Sequence, residues 1–517
     1  FGIEVNNLFL KPEKAGLTLN KFEFEEKSGF RLDNFQGRFD LDNESFDLAD
    51  LTIATGNSSL KGKLKLQYPS LATFIENPES AFLDLALNSV YLGIQDAYYF
   101  SPGLKNNTYV KTFAKNKLNA TILVSGKMDK LNLEKLSAKW GNSTRISLSG
   151  IVSEPLVTAR VSWNVEEFNF ISSEKDLNLF VPEDSLGFNY PKQVDLSLAT
   201  IGSLNAFSLE SFLKAYEGSV KVDAKLTAKE GAYHYDLNTK IEGMPLGEIL
   251  GDSIAYGPLD MELSAKGNAG PLDKIDLQLA SVVTNLGYNG HNYKGLKLDA
   301  EIVNGDGEIH LIHKDEFLDL KMLAAVSLDT ANYNIAMDLD LNGADLYGLN
   351  FTAQKIRTKF SMVATFSGDS ENFELQSKLV EGTVVLEDQA YPMGDMNLNL
   401  RILPDSTGLD IQSNLLVGQL HSNVSPIETY EGVSRHFNRY FLDSVAQNLS
   451  EIQKPVNVKM DFTIPSTLLL QQVILPELER MEEGSIRMAF DEGKSTLNGR
   501  ISFPYISYAG SIVDSLD

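Results

Sequence analysis

The 517-residue sequence contains no cysteine. That absence removes disulfides, thiolate zinc sites, iron–sulfur clusters and cysteine nucleophiles together. A long chain without a thiol is easier to understand in an oxidising compartment, where stray thiols cross-link, which points to a periplasmic or extracellular home. Long apolar runs are missing too. No stretch reaches the ~18 to 20 consecutive apolar residues that span a bilayer, and the longest candidate, Leu468 to Leu475, is broken by Gln471 and Gln472. Basic charge is scarce: 45 Lys and Arg stand against 70 Asp and Glu, a formal net charge of -25, with no Lys/Arg block to follow a phosphate backbone. Nucleic acid is therefore not expected as a partner. Electrostatic docking on an anionic membrane is not expected either, so lipid contact would have to come through apolar side chains. The acidity itself reads as solubility for a chain with large apolar faces. The sequence opens at Phe1 with neither a methionine nor a basic n-region, which predicts a fragment whose signal or anchor lies in a missing N-terminal part.

Residues able to do chemistry are equally thin. Of the six histidines, His234, His291, His310, His313, His421 and His436, only His310 and His313 are close in sequence. Three apart on a strand they point to opposite faces, so one metal cannot easily take both. There is no Gly-rich phosphate loop, no Gly-x-Ser-x-Gly elbow and no His-Glu-x-x-His helix. Acidic pairs such as Asp338 and Asp340 sit on a wet strand face, where no burial would raise a carboxylate pKa for acid catalysis. Asn304-Gly305-Asp306 falls short of an EF-hand. The expectation is no catalytic residue, no metal, no cofactor and no enzymatic activity.

What is abundant is alternation of apolar and polar residues, the period of two that puts every second side chain on one face of a strand. Val220, Val222, Ala224 and Leu226 alternate with Lys221, Asp223 and Lys225; Leu296, Leu298, Ala300 and Ile302 alternate with Lys297, Asp299 and Glu301. The same holds for Ile335, Met337, Leu339 and Leu341, and for the runs through Met261, Leu277, Met396 and Val458. With 43% hydrophobic and 22% charged residues the chain has the composition of a folded protein. One-sided strands belong to antiparallel sheets. Asn304-Gly305 and Asn342-Gly343 suit hairpin turns.

Helices are expected at Ser208 to Tyr216, at Met244 to Leu250 and from Pro426 to Leu449, with Ser425 as N-cap. In the last, Tyr430, Val433, Phe437, Tyr440, Phe441, Val445 and Leu449 form one stripe that has to lie on something apolar, either the sheet or a partner. The resulting layout is an extended β-groove over 1–425 with short helical insertions near 207–217 and 243–251, an amphipathic helix at 426–450, and further strands over 455–517 with an insertion near 466–483.

Roughly 30 strands stacked at about 4.8 Å would carry an apolar strip on the order of 150 Å long. A second sheet could cover it, or the same sheet could curl lengthwise; alternation fits both. A lipid-facing barrel fits less well, because helices interrupt the strands and Lys and Asp fill the polar face.

Internal similarity bears on the choice. Leu51 to Leu64 (LTIATGNSSLKGKL) resembles Leu136 to Ile151 (LSAKWGNSTRISLSGI), and a strand, glycine, turn, strand unit recurs at Ile122 to Leu136, Met261 to Leu279 and Met362 to Leu379. This unit, and above all Thr18 to Leu66 and Tyr256 to Leu279, resembles the AsmA-like superfamily and within it the TamB family. The resemblance implies an all-β, elongated, mainly antiparallel curled sheet, a gutter or β-taco, with an apolar groove and a few inserted helices. It implies a periplasmic bridge, anchored to the inner membrane by a segment absent here, that carries phospholipids or other acyl lipids to the outer membrane. A scaffold for outer-membrane barrel assembly with a TamA-like partner is the alternative, and a surface adhesive β-repeat a second one. Acyl chains would then lie along Leu64, Leu66, Val222, Leu226, Met261, Leu263, Leu277, Leu298, Met337, Leu339, Met362, Met396, Leu398, Val458 and Met460. Tyr430, Val433, Phe437, Phe441 and Val445 would cover the groove or dock a partner.

Overall fold

The structure, a computed structural model, describes residues 1–229, 231–329, 332–441 and 454–517. Strands take 64% of the chain and helical turns 12%, so the fold is all-β, and the sheet is not closed into a barrel. Every described strand pairing is antiparallel. The chain divides into two compact units, Phe1–Ser264 and Ala265–Asp517, with the division inside the strand Tyr256–Ala269.

In the first unit a meander runs strand to next strand from Gly2–Lys11 to Ala232–Pro245. In the second it runs from Leu277–Tyr288 to Ser511–Leu516, with the short strands His291–Tyr293 and Leu478–Met481 added at the side. Tight turns make this possible. Between Val303 and its partner Asp306, Asn304 and Gly305 take φ of 52° and 81°, the left-handed pair that matches the twist of a two-residue hairpin.

The sheet is curled, and glycines and bulges mark places where its strands bend. At Gly202, φ is 149° and a Cβ would sit 2.2 Å from the Ala206 carbonyl oxygen and 2.4 Å from the Phe207 Cα. Only a hydrogen fits where the backbone of the next strand comes so close. Bulges bend other strands, as between Leu133 and Leu136 and between Val165 and Phe168.

Two expectations are corrected. Ser208 to Tyr216 is not a helix: Ala206–Ala215 is a strand, paired on both sides with Gln193–Ser203 and Gly218–Lys229. Its Leu and Lys residues favour helix only weakly, and two complete ladders of backbone hydrogen bonds override that preference. Asn342-Gly343 is not a hairpin turn but a bulge inside Tyr333–Asp345, where Leu341 opposes Leu320 and Gly343 opposes Asp319, one residue too many. Elsewhere the helix Leu246–Leu250 and the helical turn Leu470–Ile474 fall where insertions were expected. The helix Pro426–Phe441 starts on a capping box, with the Glu428 N–H donating to Ser425 Oγ and the Ser425 N–H donating to Glu428 Oε2. Its expected continuation to 450 lies outside the described residues.

Buried apolar side chains form small clusters, for example Ile356, Val384, Tyr391 and Leu469 in one and Tyr293, Ala344 and Leu349 in another. The broad middle of the sheet stays half-buried. The chain exposes 30491 Å², whereas even two separate globular bodies sharing its 57.1 kDa would expose only about 22,000 Å² between them. Such an excess means that much of the sheet has no second protein layer on it.

Candidate functional site

Residues directly opposite each other on neighbouring strands share a face. Following that register through the first unit produces a row of twelve residues across twelve strands: Phe35, Ile53, Leu60, Val90, Ala120, Ala138, Ile146, Phe170, Leu196, Leu213, Val220 and Ile241. None is polar. In the second unit the corresponding row is Leu277, Ile302, Gly307, Val326, Ile335, Phe366, Leu375, Leu400, Leu409, Leu420, Met460 and Met488. Beside it runs a shorter row of Leu298, Leu311, Met322, Leu339, Met362, Leu379 and Met396. Bulges occur where they keep the apolar residues in line: the shifts at Leu48/Leu51 and Leu87/Val90 absorb residues that would otherwise turn the strand over.

Apart from Met261 and Leu263, the residues picked from the sequence fall on these rows or beside them. Leu64 and Leu66 oppose Leu85 and Leu83; Val222 and Leu226 flank the first row on Gly218–Lys229. Met261 and Leu263 are half-buried on Tyr256–Ala269. Leu277 and Met460 are members of the long second-unit row, and Leu298, Leu339, Met362 and Met396 of the short one. Met337 opposes Ala324 and Ala364, and Leu398 opposes Ile411. Fourteen of the fifteen are half-buried; Val458 is the exception, 2% exposed inside a closed cluster with Val424, Val456 and Phe490. Sequence reading passed over Leu311, Met322, Phe366 and Leu379, although Ile309-Leu311 and Leu375-Leu379 carry the same alternation.

The helix Pro426–Phe441 makes the closure over Val458. Of the expected stripe, Val433 does face the sheet, together with Gly432 and His436, but Tyr430 is 74% and Phe437 43% exposed, so the inward face is turned from the expected one. Helical spacing sets which residues share a stripe but not which stripe turns inward. Two contacts choose. Gly432 allows close approach, since a Cβ there would lie 2.5 Å from Val456 Cγ2, and Arg435 Nε donates to the buried Glu492 carboxylate at 2.9 Å. That same carboxylate accepts the Val456 N–H at 3.0 Å. Phe441 lies at the end of the described helix, and Val445 lies outside the described residues.

Aspartates latch the rims. The two Gly-Asn-Ser turns noted in sequence each clasp an aspartate from a later insertion. Asn57 Nδ2 donates to Asp96 Oδ1 at 2.8 Å, and the N–H groups of Asn142, Ser143 and Thr144 donate to Asp176 at 3.0, 2.9 and 2.9 Å. Burial alone would raise the Asp176 pKa, but those amides and the Thr144 hydroxyl hold the carboxyl at about 2. In the second unit Asp315 Oδ2 lies 3.0 Å from Nε2 of both His291 and His313, and its Oδ1 accepts the Phe317 and Leu318 N–H groups at 2.8 Å. Against the upward push of burial, these bonds keep Asp315 well below the usual carboxylate range. With four donors on it, this carboxylate has no lone pair left for a ligand. His310 is exposed on the opposite face from buried His313, and no group of His, Asp and Glu among the described residues is arranged to hold a metal ion.

Chemically, the arrangement offers a long apolar surface with polar rims. Among the described residues no helix is long and apolar enough to cross a membrane. No family model matches the chain, and neither does any curated protein or solved structure.

Proposed function

We propose that the chain is a physical carrier of acyl lipids, phospholipids in the first instance, which lie with their tails on the apolar face and their headgroups toward solvent; it is not an enzyme. The observation that carries this reading is the pair of apolar rows, most of whose residues stay half-buried rather than closed into a core, the roofed stretch at Ala138 and the helix-covered end beside Leu420 excepted. At about 4.8 Å per strand, eleven spacings give each row a length of about 50 Å, longer than the ~30 Å hydrocarbon core of a bilayer. Exposed apolar surface on that scale marks an interaction site. Apolar contact is non-directional, so a tail can slide from strand to strand without breaking a specific bond. Met322, Met337, Met362, Met396, Met460 and Met488 supply flexible side chains that adapt to different tails. A periplasmic bridge from inner to outer membrane, with a TamA-like barrel at its far end, is the setting that the sequence resemblance suggests.

Native mass spectrometry on gently purified protein tests the reading. Bound phospholipid is expected, and Leu298→Glu or Met337→Asp is expected to lower its occupancy by about tenfold, because the tail would then lie against a charge. Both residues are half-buried, so the new charges can reach solvent and the far-UV circular dichroism should stay that of a β-sheet. A lipid-free parent, or variants that retain lipid, would sink the proposal. Crosslinks from strand edges to barrel proteins without bound lipid would favour the scaffold instead.

A further inference from the structure

In the first unit the long row passes under a roof. Phe113 from the segment 93–117, and Asp176, Leu177 and Phe180 from the segment 174–192, sit over the ends of the strands from Leu118–Lys127 to Ser162–Ser173 and partly enclose a cavity of about 140 Å³. Its floor is the row itself, Ala138, Ile146 and Phe170; its walls are Trp140, Phe113 and Phe180. The roof is fixed firmly. Trp140 Nε1 donates to the Phe113 carbonyl at 2.9 Å, its ring stacks on Phe113 at 5.3 Å and packs on Phe180 at 5.0 Å, and Asp176 clasps the Asn142 to Thr144 amides.

Polar groups at the cavity are already satisfied. Asp176 is filled by its amides, and Thr144 Oγ1 and Ser172 Oγ bond to each other at 2.9 Å. Nothing there asks for a polar ligand. A cavity of about 150 Å³ lined by apolar side chains stays dry and accommodates a molecule of about six carbons.

We propose that this cavity is a binding site for the terminal carbons of an acyl chain whose remainder lies along the row. Resting on the carrier reading above, the inference adds a fixed end-stop to a face that otherwise lets tails slide. Volume and continuity select the occupant. The space matches about six carbons, and the row that floors it continues through Leu196, Leu213 and Val220, so a chain on the face enters without leaving apolar contact.

The chain's two tryptophans report the two places separately, since Trp140 lines the cavity and Trp163 lies on the face opposite Gly202. Fluorescence quenching is measured with saturated fatty acids brominated at the terminal carbon or at mid-chain, using Trp163→Phe to isolate Trp140 and Trp140→Phe to isolate Trp163. The terminally brominated acid should quench Trp140 and the mid-chain one should not. Ala138→Leu in the Trp163→Phe background should weaken that quenching affinity about tenfold, the burial of about two methylenes. If Ala138→Leu does not fold, a chain-length series on the Trp163→Phe protein replaces it: shortening the acid by about six carbons should abolish Trp140 quenching. Quenching of Trp163 with none of Trp140, or equal quenching of Trp140 by both acids, overturns the end-stop and leaves the carrier reading standing. Quenching of neither overturns both.

Discussion

On the strand Ile356–Gly368, Met362 and Phe366 stand half-buried between apolar neighbours on adjacent strands, Leu339 and Leu379, Ile335 and Leu375. On Asn457–Ile464, Val458 alternates in the same way, opposes Phe490, and is 2% exposed. The strand pattern is the same; the difference is the helix Pro426–Phe441, which brings Gly432, Val433 and His436 onto the second patch and onto nothing in the first. An alternating strand thus defines a surface, and whether that surface becomes core or groove depends on an element far away in sequence.

The largest expected effect is a direct contrast. Phe490→Ala should cost about 3–5 kcal/mol, as for a closed core, whereas Phe366→Ala should cost only about 1–2 kcal/mol because Phe366 is only half-buried. Denaturant titration of both variants measures this, and equal losses would erase the distinction between closed and open patches.

The first unit's roof can be probed through its latch. The Asp176 carboxyl is depressed from 3.8 to about 2, so its stabilisation is complete above about pH 4 and lost as pH falls through about 2, worth about 2 kcal/mol. Asp176→Asn should therefore be less stable than the parent near neutrality, and the gap should close on acidification from pH 4 to pH 2. A gap that stays constant over that range would show that the charge on Asp176 is not what the turn amides hold. The smallest expected effect is at the helix cap: Ser425→Ala should cost about 1 kcal/mol. Hydrogen exchange should quicken in the helix and at Val456 but not in Ile356–Gly368, and uniform quickening would mean that the helix and the open sheet unfold together.

Much of the face was legible without coordinates. Leu298, Leu339, Met362 and Met396, chosen from alternation and resemblance, lie on one row. The row itself was not legible, because register across strands depends on bulges such as the extra residue at Asn342. The cavity was hidden for a similar reason: Trp140, Phe113 and Phe180 lie far apart in sequence and meet only when two insertions fold back over one strand end. The Gly-Asn-Ser repeat was visible, but its role required the aspartates 39 and 34 residues further on.

Composition and a period of two determined that this chain is all-β, antiparallel and dry on one face, since these follow from local backbone geometry and from which side chains water rejects. Tertiary structure decided which segment of that face is roofed, which side of the helix turns inward and where the rows line up. Each of these depends on contacts between residues tens of positions apart, such as Arg435 with Glu492 or Asn142 with Asp176, and no local period encodes them.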